Sequence, residues 1–377
     1  MTKNDVVSSS KMYGVPLYGA AWIPSSASSA AMKSYVVLAG GGGEGRSGIP
    51  NALLVSEFDF PSNSLADQPV AKLGTGSDLP YRISVHPQGE GLICALPNSC
   101  RWFEWDPSSD NNGSLNLKTS EKVLEQLEDV GQQLALAFNQ EGSLLAVGGE
   151  DGKLRVFKWP SMEIILDEAT AHSSVKDLDF SPDSKYLVSV GSGSGRVWDM
   201  TSSTSIASLS KENGDMFGFC RFSHNDNQVL YVTAMTDRGG NIVKFNTSSW
   251  KRLKSKQIVR DPISSFSVSD DGNLLAVGTI EGSILVISST SMQVQTIIKK
   301  AHLGLVTALT FSQDSRALLS ASMDSSVKVT PITEKEDSGG NFWITVFIIL
   351  LAAVIYFALQ EEGASFIKSF SLTARRE

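Results

Sequence analysis

Five segments of this 377-residue chain repeat one pattern: an alternating apolar stretch ending in Phe or Val, a polar turn, and a second apolar stretch closing on small residues. They fall at 134–138 with 144–147, 175–180 with 186–190, 217–222 with 230–234, 263–268 with 274–277, and 306–311 with 317–321. Phe138, Phe180, Phe222, Val268 and Phe311 hold the equivalent position, at steps of 42, 42, 46 and 43 residues. Period-two alternation makes each stretch a strand with a face to bury. The Asn, Asp, Gly, Ser and Pro between them supply tight turns. A unit this small cannot cover its own sheet, so it must stack on copies of itself.

Two weaker copies lie upstream, at 81–85 with 91–96 and at 18–22 with 35–39, which brings the count to seven. A period just above forty, built of strands, resembles the blades of WD-repeat proteins. The expected fold is therefore all-β, a seven-bladed WD-repeat-like propeller. Only Trp105-Asp106 and Trp198-Asp199 spell the dipeptide for which those repeats are named, and His172 and His302 follow Ala rather than Gly. Both histidines are read as structural. The last copy has strands near 306–311, 317–321 and 327–330 and then leaves the repeat. An unpaired edge is an aggregation liability, so its fourth strand is expected from the N-terminal segment around 12–15.

The formal net charge of -8 gives no basic footprint for nucleic acid. Cys94, Cys100 and Cys220 are too few and too unevenly spaced for a disulfide framework or a zinc site, which points to a reducing compartment. The four histidines show no H-E-x-x-H or C-x-x-C context, and no G-x-S-x-G elbow occurs; neither a metal enzyme nor a serine hydrolase is read here. Residues 1–11 are polar and lack the apolar core of a secretory signal. Residues 342–359 are apolar and uncharged, with Trp343 and Tyr356 near the ends, the pattern of a single membrane span. At helical rise it reaches about 27 Å, close to the ER bilayer thickness. The flanking charges do not settle its orientation; the polar N-terminus and short tail favour a cytosolic N-terminal side. The expected organisation is a cytosolic propeller over 1–333, a linker over 334–341, one transmembrane helix over 342–359 and a short lumenal tail over 360–377.

From Leu38 to Asn51 the chain reads LAGGGGEGRSGIPN, with six glycines. Such a backbone takes positive φ freely and lets its carbonyls approach an ion or a partner, at an entropic cost on ordering. The stretch reads as a site. Gly40, Gly42 and Gly45 fit G-x-G-x-x-G, and Gly40 with Gly45-Arg46-Ser47 comes within one residue of a P-loop. Both motifs need a helix starting near the last glycine, and Gly48-Ile49-Pro50 opposes one. Direct nucleotide binding is set aside.

The run GVPLYGAAW at 14–22, the glycine loop ending in Gly-Ile-Pro-Asn51, the seven blades and the C-terminal span together resemble the Sec-twelve family. Its members are ER-membrane guanine-nucleotide exchange factors for the Sar-type small GTPase that starts assembly of coat protein complex II. The likeness covers essentially the whole chain. It implies that the loop, ordered by a potassium ion, enters the GTPase and opens its nucleotide site without making or breaking a bond. Asn51 is the matching essential residue, and Ile49 and Pro50 form the stiff, apolar part of the same wedge. The potassium loop corresponds to Gly40, Gly41, Gly42, Gly43, Glu44 and Gly45, with Glu44 either a charged ligand or a solvated carboxylate. Asn51 is expected to be exposed and to add little to blade packing. The alternative is a plant sister branch that helps phosphate transporters and other cargo leave the ER without exchanging nucleotide. The tail of 18 residues departs from members with long lumenal domains.

Overall fold

The computed structural model describes residues 9–27, 33–45, 47–106, 115–191, 193–212, 214–225, 228–332, 346–353 and 356. Seven antiparallel sheets follow one another along the chain. The first blade is Leu17–Ile23, Ser34–Gly40 and Asn51–Asp59, with an outer edge in two pieces, Ser64–Leu65 and Ala71–Gly76. The next five begin at Arg82–Val85, Gln133–Phe138, Val175–Phe180, Met216–Phe222 and Ile263–Val268, and the seventh at Val306–Phe311. Each of these first strands contacts the first strand of the next blade, and the seventh contacts the first, so the ring is closed.

The five repeat positions read from the sequence each end such a strand: Phe138, Phe180, Phe222, Val268 and Phe311. The polar turns after Phe180, Val268 and Phe311 share one chemistry. Ser181 Oγ accepts the Tyr186 N–H at 2.9 Å, Ser269 Oγ that of Leu274 at 2.9 Å, and Ser312 Oγ that of Ala317 at 3.0 Å. In each turn the serine also donates to the aspartate two residues on, at 2.7, 2.5 and 2.6 Å for Asp183, Asp271 and Asp314. These side chains satisfy backbone groups that the hairpin leaves over.

Because every blade is covered on both faces, alternate residues of one strand feed two different cores. Tyr35, Val37 and Ala39 pack toward the second blade, whereas Val36 and Leu38 pack toward the seventh. Seven buried clusters result, one between each pair of neighbouring blades. His172 Nε2 lies 2.8 Å from Ser189 Oγ, which also accepts the Trp198 indole N–H at 2.9 Å. His302 sits between Ser326 at 2.5 Å and Ser320 at 2.8 Å. Burial pushes both imidazoles down to about 4, so they are neutral braces. Cys94, Cys100 and Cys220 are buried free thiols.

The seventh blade takes its fourth strand from the N-terminal segment, but the strand is Ser9–Met12, with Ser9 opposite Val329 and Met12 opposite Ser326. It ends where 12–15 was expected to pair. Tyr13 is diverted: its hydroxyl lies 2.6 Å from Ser56 Oγ and donates to the Ala66 carbonyl at 2.8 Å. Val15 is buried between the seventh and first blades.

The chain divides into two units, Met1–Ile332 and Thr333–Glu377. In the second, residues 346–353 and 356 are described and are helical. The linker 334–341, the remainder of 342–359 and the tail 360–377 lie outside the described residues. No helix of the described residues is long and apolar enough to cross a membrane.

Candidate functional site

The second and third strands of six blades are joined by short links, such as 280–283 in the sixth and 323–325 in the seventh; in the first blade the link is 41–50. Gly40 pairs with Ala52, so the loop leaves and re-enters on nearly the same rung. It runs into a strand at Asn51. The helix N-terminus that either nucleotide motif requires is therefore replaced by a hairpin.

Asn51 is only 4% exposed. Its Oδ1 accepts the Gly43 N–H at 2.9 Å, and its Nδ2 lies 3.3 Å from the Gly43 carbonyl, 3.1 Å from that of Gly76 and 3.0 Å from that of Ser77. The expectation of an exposed Asn51 with little part in packing is corrected. The cause is register: Asn51 faces Gly76 across the outer strand, so one amide reaches both the loop and the crossing toward the second blade. Gly41 closes the other side, donating to the Pro16 carbonyl at 3.0 Å. Glycine is required at two places here: a Cβ on Gly40 would lie 2.1 Å from the Pro16 carbonyl oxygen, and one on Gly41, with φ at +152°, 2.5 Å from the Asn51 Cα; a Cβ on Gly42 would meet the rotatable Ser47 Oγ at 2.1 Å and Ile49 at 3.0 Å.

Above this base the loop opens. Glu44, Gly45, Ser47, Gly48 and Pro50 are exposed, and Ile49 is half-buried against the core between the seventh and first blades. Of the three wedge residues read from the sequence, Pro50 and part of Ile49 face outward, and Asn51 holds them from below.

Among the described residues no group of three His, Cys, Asp or Glu side chains is placed to hold a metal. The oxygen donors at the loop base are backbone carbonyls. Those of Gly43, Gly76 and Ser77 converge on one amide nitrogen, which has two hydrogens for three acceptors. The amide nitrogen fills that point, so these carbonyls are bonded and not an open cation site; carbonyl oxygens as a class suit a weakly hydrated monovalent cation better than magnesium, which demands an octahedron and keeps its waters. Gly76, Ser77 and Pro16 were not singled out in the sequence. Gly76 and Ser77 stand 25 and 26 residues from Asn51, and no local signal connects them to it.

Other buried charges are paired: Asp215 bonds Arg252 of the outer strand within the fifth blade at 2.6 Å. Arg221 bonds Asp177 at 2.5 Å, tying the fifth blade to the fourth. Asp179, pushed up to about 6 by burial, accepts the Phe222 N–H at 2.7 Å. This is bracing between blades.

Fold and loop together define a seven-bladed WD-repeat propeller with a glycine-rich insertion in its first blade. The family model "WD domain, G-beta repeat" matches residues 129–158, 165–199 and 292–330. The chain belongs to the SEC12-like family. It is 50% identical over 371 residues to SEC12-like protein 2 of Arabidopsis thaliana, covering 91% of this chain and 92% of that one. SEC12-like protein 1 of the same plant is 32% identical over 81% of this chain and 77% of its own length. The mouse protein named guanine nucleotide-exchange factor SEC12 is 30% identical over 220 residues, 52% of this chain and 51% of the mouse one.

Proposed function

We propose that this chain is a guanine-nucleotide exchange factor for a Sar-type small GTPase at the ER membrane, starting the assembly of coat protein complex II. The observation that carries the reading is the loop locked at its base by Asn51 with Pro50 exposed beside it. An exchange factor must bind the nucleotide-free GTPase better than the nucleotide-bound one, and that coupling is reciprocal. A ligand with equal affinity for both shifts nothing. An element meant to displace nucleotide gains from being ordered beforehand, since less freedom is lost on entry. Pro50 fixes its own φ, and Ile49 adds apolar area. Asn51 is a positioning residue that keeps both in place. No covalent bond changes in this step.

In the same reading the propeller lies in the cytosol, 334–341 is a linker, 342–359 crosses the ER membrane and 360–377 is lumenal. Potassium belongs to it as well: carbonyls of the glycine run would hold the ion, at a point other than the one where the Gly43, Gly76 and Ser77 carbonyls meet, which the Asn51 amide nitrogen fills. Glu44, exposed on the loop, either reaches the ion or stays in solvent. The second reading is a cargo-export facilitator, serving phosphate transporters or other cargo without exchange. It is favoured by the names of the two plant relatives, which are SEC12-like and state no exchange activity.

The test uses the full chain in detergent micelles and a Sar-type GTPase loaded with fluorescent GDP. Wild type accelerates release. Gly42→Ala, whose added Cβ meets Ser47 and Ile49, slows release several-fold with an unchanged melting temperature, and so does replacing potassium by an organic cation at equal ionic strength. A competent GTPase that wild type does not accelerate leaves the export reading in its place.

A further inference from the structure

We infer that a second apolar surface, formed by Leu303 and Met323 at the corner of the seventh blade with Met12 and Ile280 beside them, docks the GTPase next to the glycine loop. The inference rests on the exchange reading above and adds a binding surface to it. Leu303 is 91% exposed, Met12 69%, Ile280 44% and Met323 41%.

These side chains are held out on a fixed backbone. The Leu303 N–H donates to Asp324 Oδ2 at 2.6 Å, and Asp324 also accepts the Ser326 N–H at 2.8 Å. The preceding residue, His302, is buried and bonded to Ser320 and Ser326. Its N–H donates to the Gly282 carbonyl at 3.0 Å, which ties the hairpin carrying Ile280 to the same corner. Met12 lies opposite Ser326, and the Tyr13 N–H donates to the Ser325 carbonyl at 3.2 Å. An apolar anchor on a corner this well bonded loses little freedom when a partner covers it.

Backbone bonds at the two ends of 13–16 join this corner to the loop. From Met12 the chain runs directly to Pro16, whose carbonyl accepts the Gly41 N–H. The second-to-third-strand links and the crossings between blades emerge on one face of the ring, so Pro50 and Leu303 are presented to the same side. Exposed apolar residues elsewhere on the propeller are single. Ile164, Ile206, Leu253 and Ile297 stand on the outermost strands of four different blades, and Val123 and Met216, at the crossings into the third and fifth blades, each lack an exposed apolar neighbour on the adjoining link; such scattered residues are ordinary surface. Met12 is also on an outer strand, but at its last residue, beside the seventh-blade corner. The backbone connection to the loop identifies the occupant as an apolar patch of the GTPase bordering its nucleotide site.

The experiment measures exchange by the full chain in micelles as the GTPase is titrated. Leu303→Gln with Met323→Gln should raise the half-saturating GTPase concentration about tenfold, the factor a central anchor carries, with the maximal rate and melting temperature unchanged. Leu253→Gln, 57% exposed but on an outer strand, should alter neither. Unaltered half-saturation in the double variant overturns the inference, as does a variant that changes only self-association or liposome binding. Should wild type fail to exchange, the proposed function falls by itself, and binding of GTPase stripped of nucleotide still decides the docking surface: tight to wild type and weakened in the double variant supports it, and equal or absent binding overturns it.

Discussion

The links at 41–50 and 280–283 occupy the same step of the blade topology and are held by opposite means. In the sixth blade the link closes on itself, Gly282 N–H to the Thr279 carbonyl at 3.1 Å, Thr279 N–H to the Ser283 carbonyl at 3.0 Å and Ser283 N–H to Thr279 Oγ1 at 3.1 Å, with the neighbouring crossings bonded to it only from outside, Ile280 N–H to the Pro262 carbonyl at 3.2 Å and His302 N–H to the Gly282 carbonyl at 3.0 Å. In the first blade the anchors are distant, the Pro16 carbonyl on one side and the Asn51 amide with Gly76 and Ser77 on the other. A four-residue turn that closes on itself presents only side chains at its corner, such as Ile280. A long link fixed from outside is rigid at its base and open at its apex, the arrangement that lets a scaffold offer a binding element.

The strongest way to break the comparison is Asn51→Ala. It strands the Gly43 N–H and the gathered carbonyls, at a cost of about 2–3 kcal/mol. Calorimetry should show a clearly lowered melting temperature, with exchange reduced at least about tenfold because a positioning residue acts through the groups it holds. Wild-type melting in this variant would show that the amide does not lock the loop. Thr279→Ala is the counterpart in the sixth blade: it removes one local bond, costs about 1 kcal/mol, and leaves exchange at the wild-type rate. Lost exchange there would mean that the two links are not functionally distinct.

The smallest effect sharpens a third link, that of the seventh blade, where His302 braces the corner. Its imidazole is held at about 4 against an ordinary 6.5 by burial. Between those values the unfolded chain binds more protons than the folded one, so stability rises with pH. The His302 contribution is full above pH 6.5 and is lost as pH falls toward 4. Melting curves across that window should decline for wild type and decline less steeply for His302→Gln; identical slopes would refute the assignment.

The blades were legible because their signals are local. Alternation, the Ser-x-Asp turn and the step from Phe138 to Phe180 to Phe222 lie within single repeats, and the strands end at those residues. The glycine run was legible as an interruption between two strands for the same reason. Asn51 was misplaced because its surroundings are set by pairing with Gly76, which depends on where the outer strand re-enters the sheet. The closing strand was misplaced by three residues because the partners of Tyr13, Ser56 and Ala66, belong to a blade that the sequence of 9–15 does not contain.

Pairing Ser9 with Val329 joins residues about 320 apart, and this sets the order of events during synthesis. This strand leaves the ribosome ahead of the seven blades and is the last to be used. Six blades can form while it waits, but the seventh has an open edge until Ser326–Pro331 has emerged. The entropy of joining ends this far apart grows only with the logarithm of the separation, so distance itself is a small obstacle. The hazard is capture by another chain in the interval. A waiting strand of four residues, Ser-Ser-Lys-Met, is short, polar and charged, features that keep exposed edges from pairing with strangers.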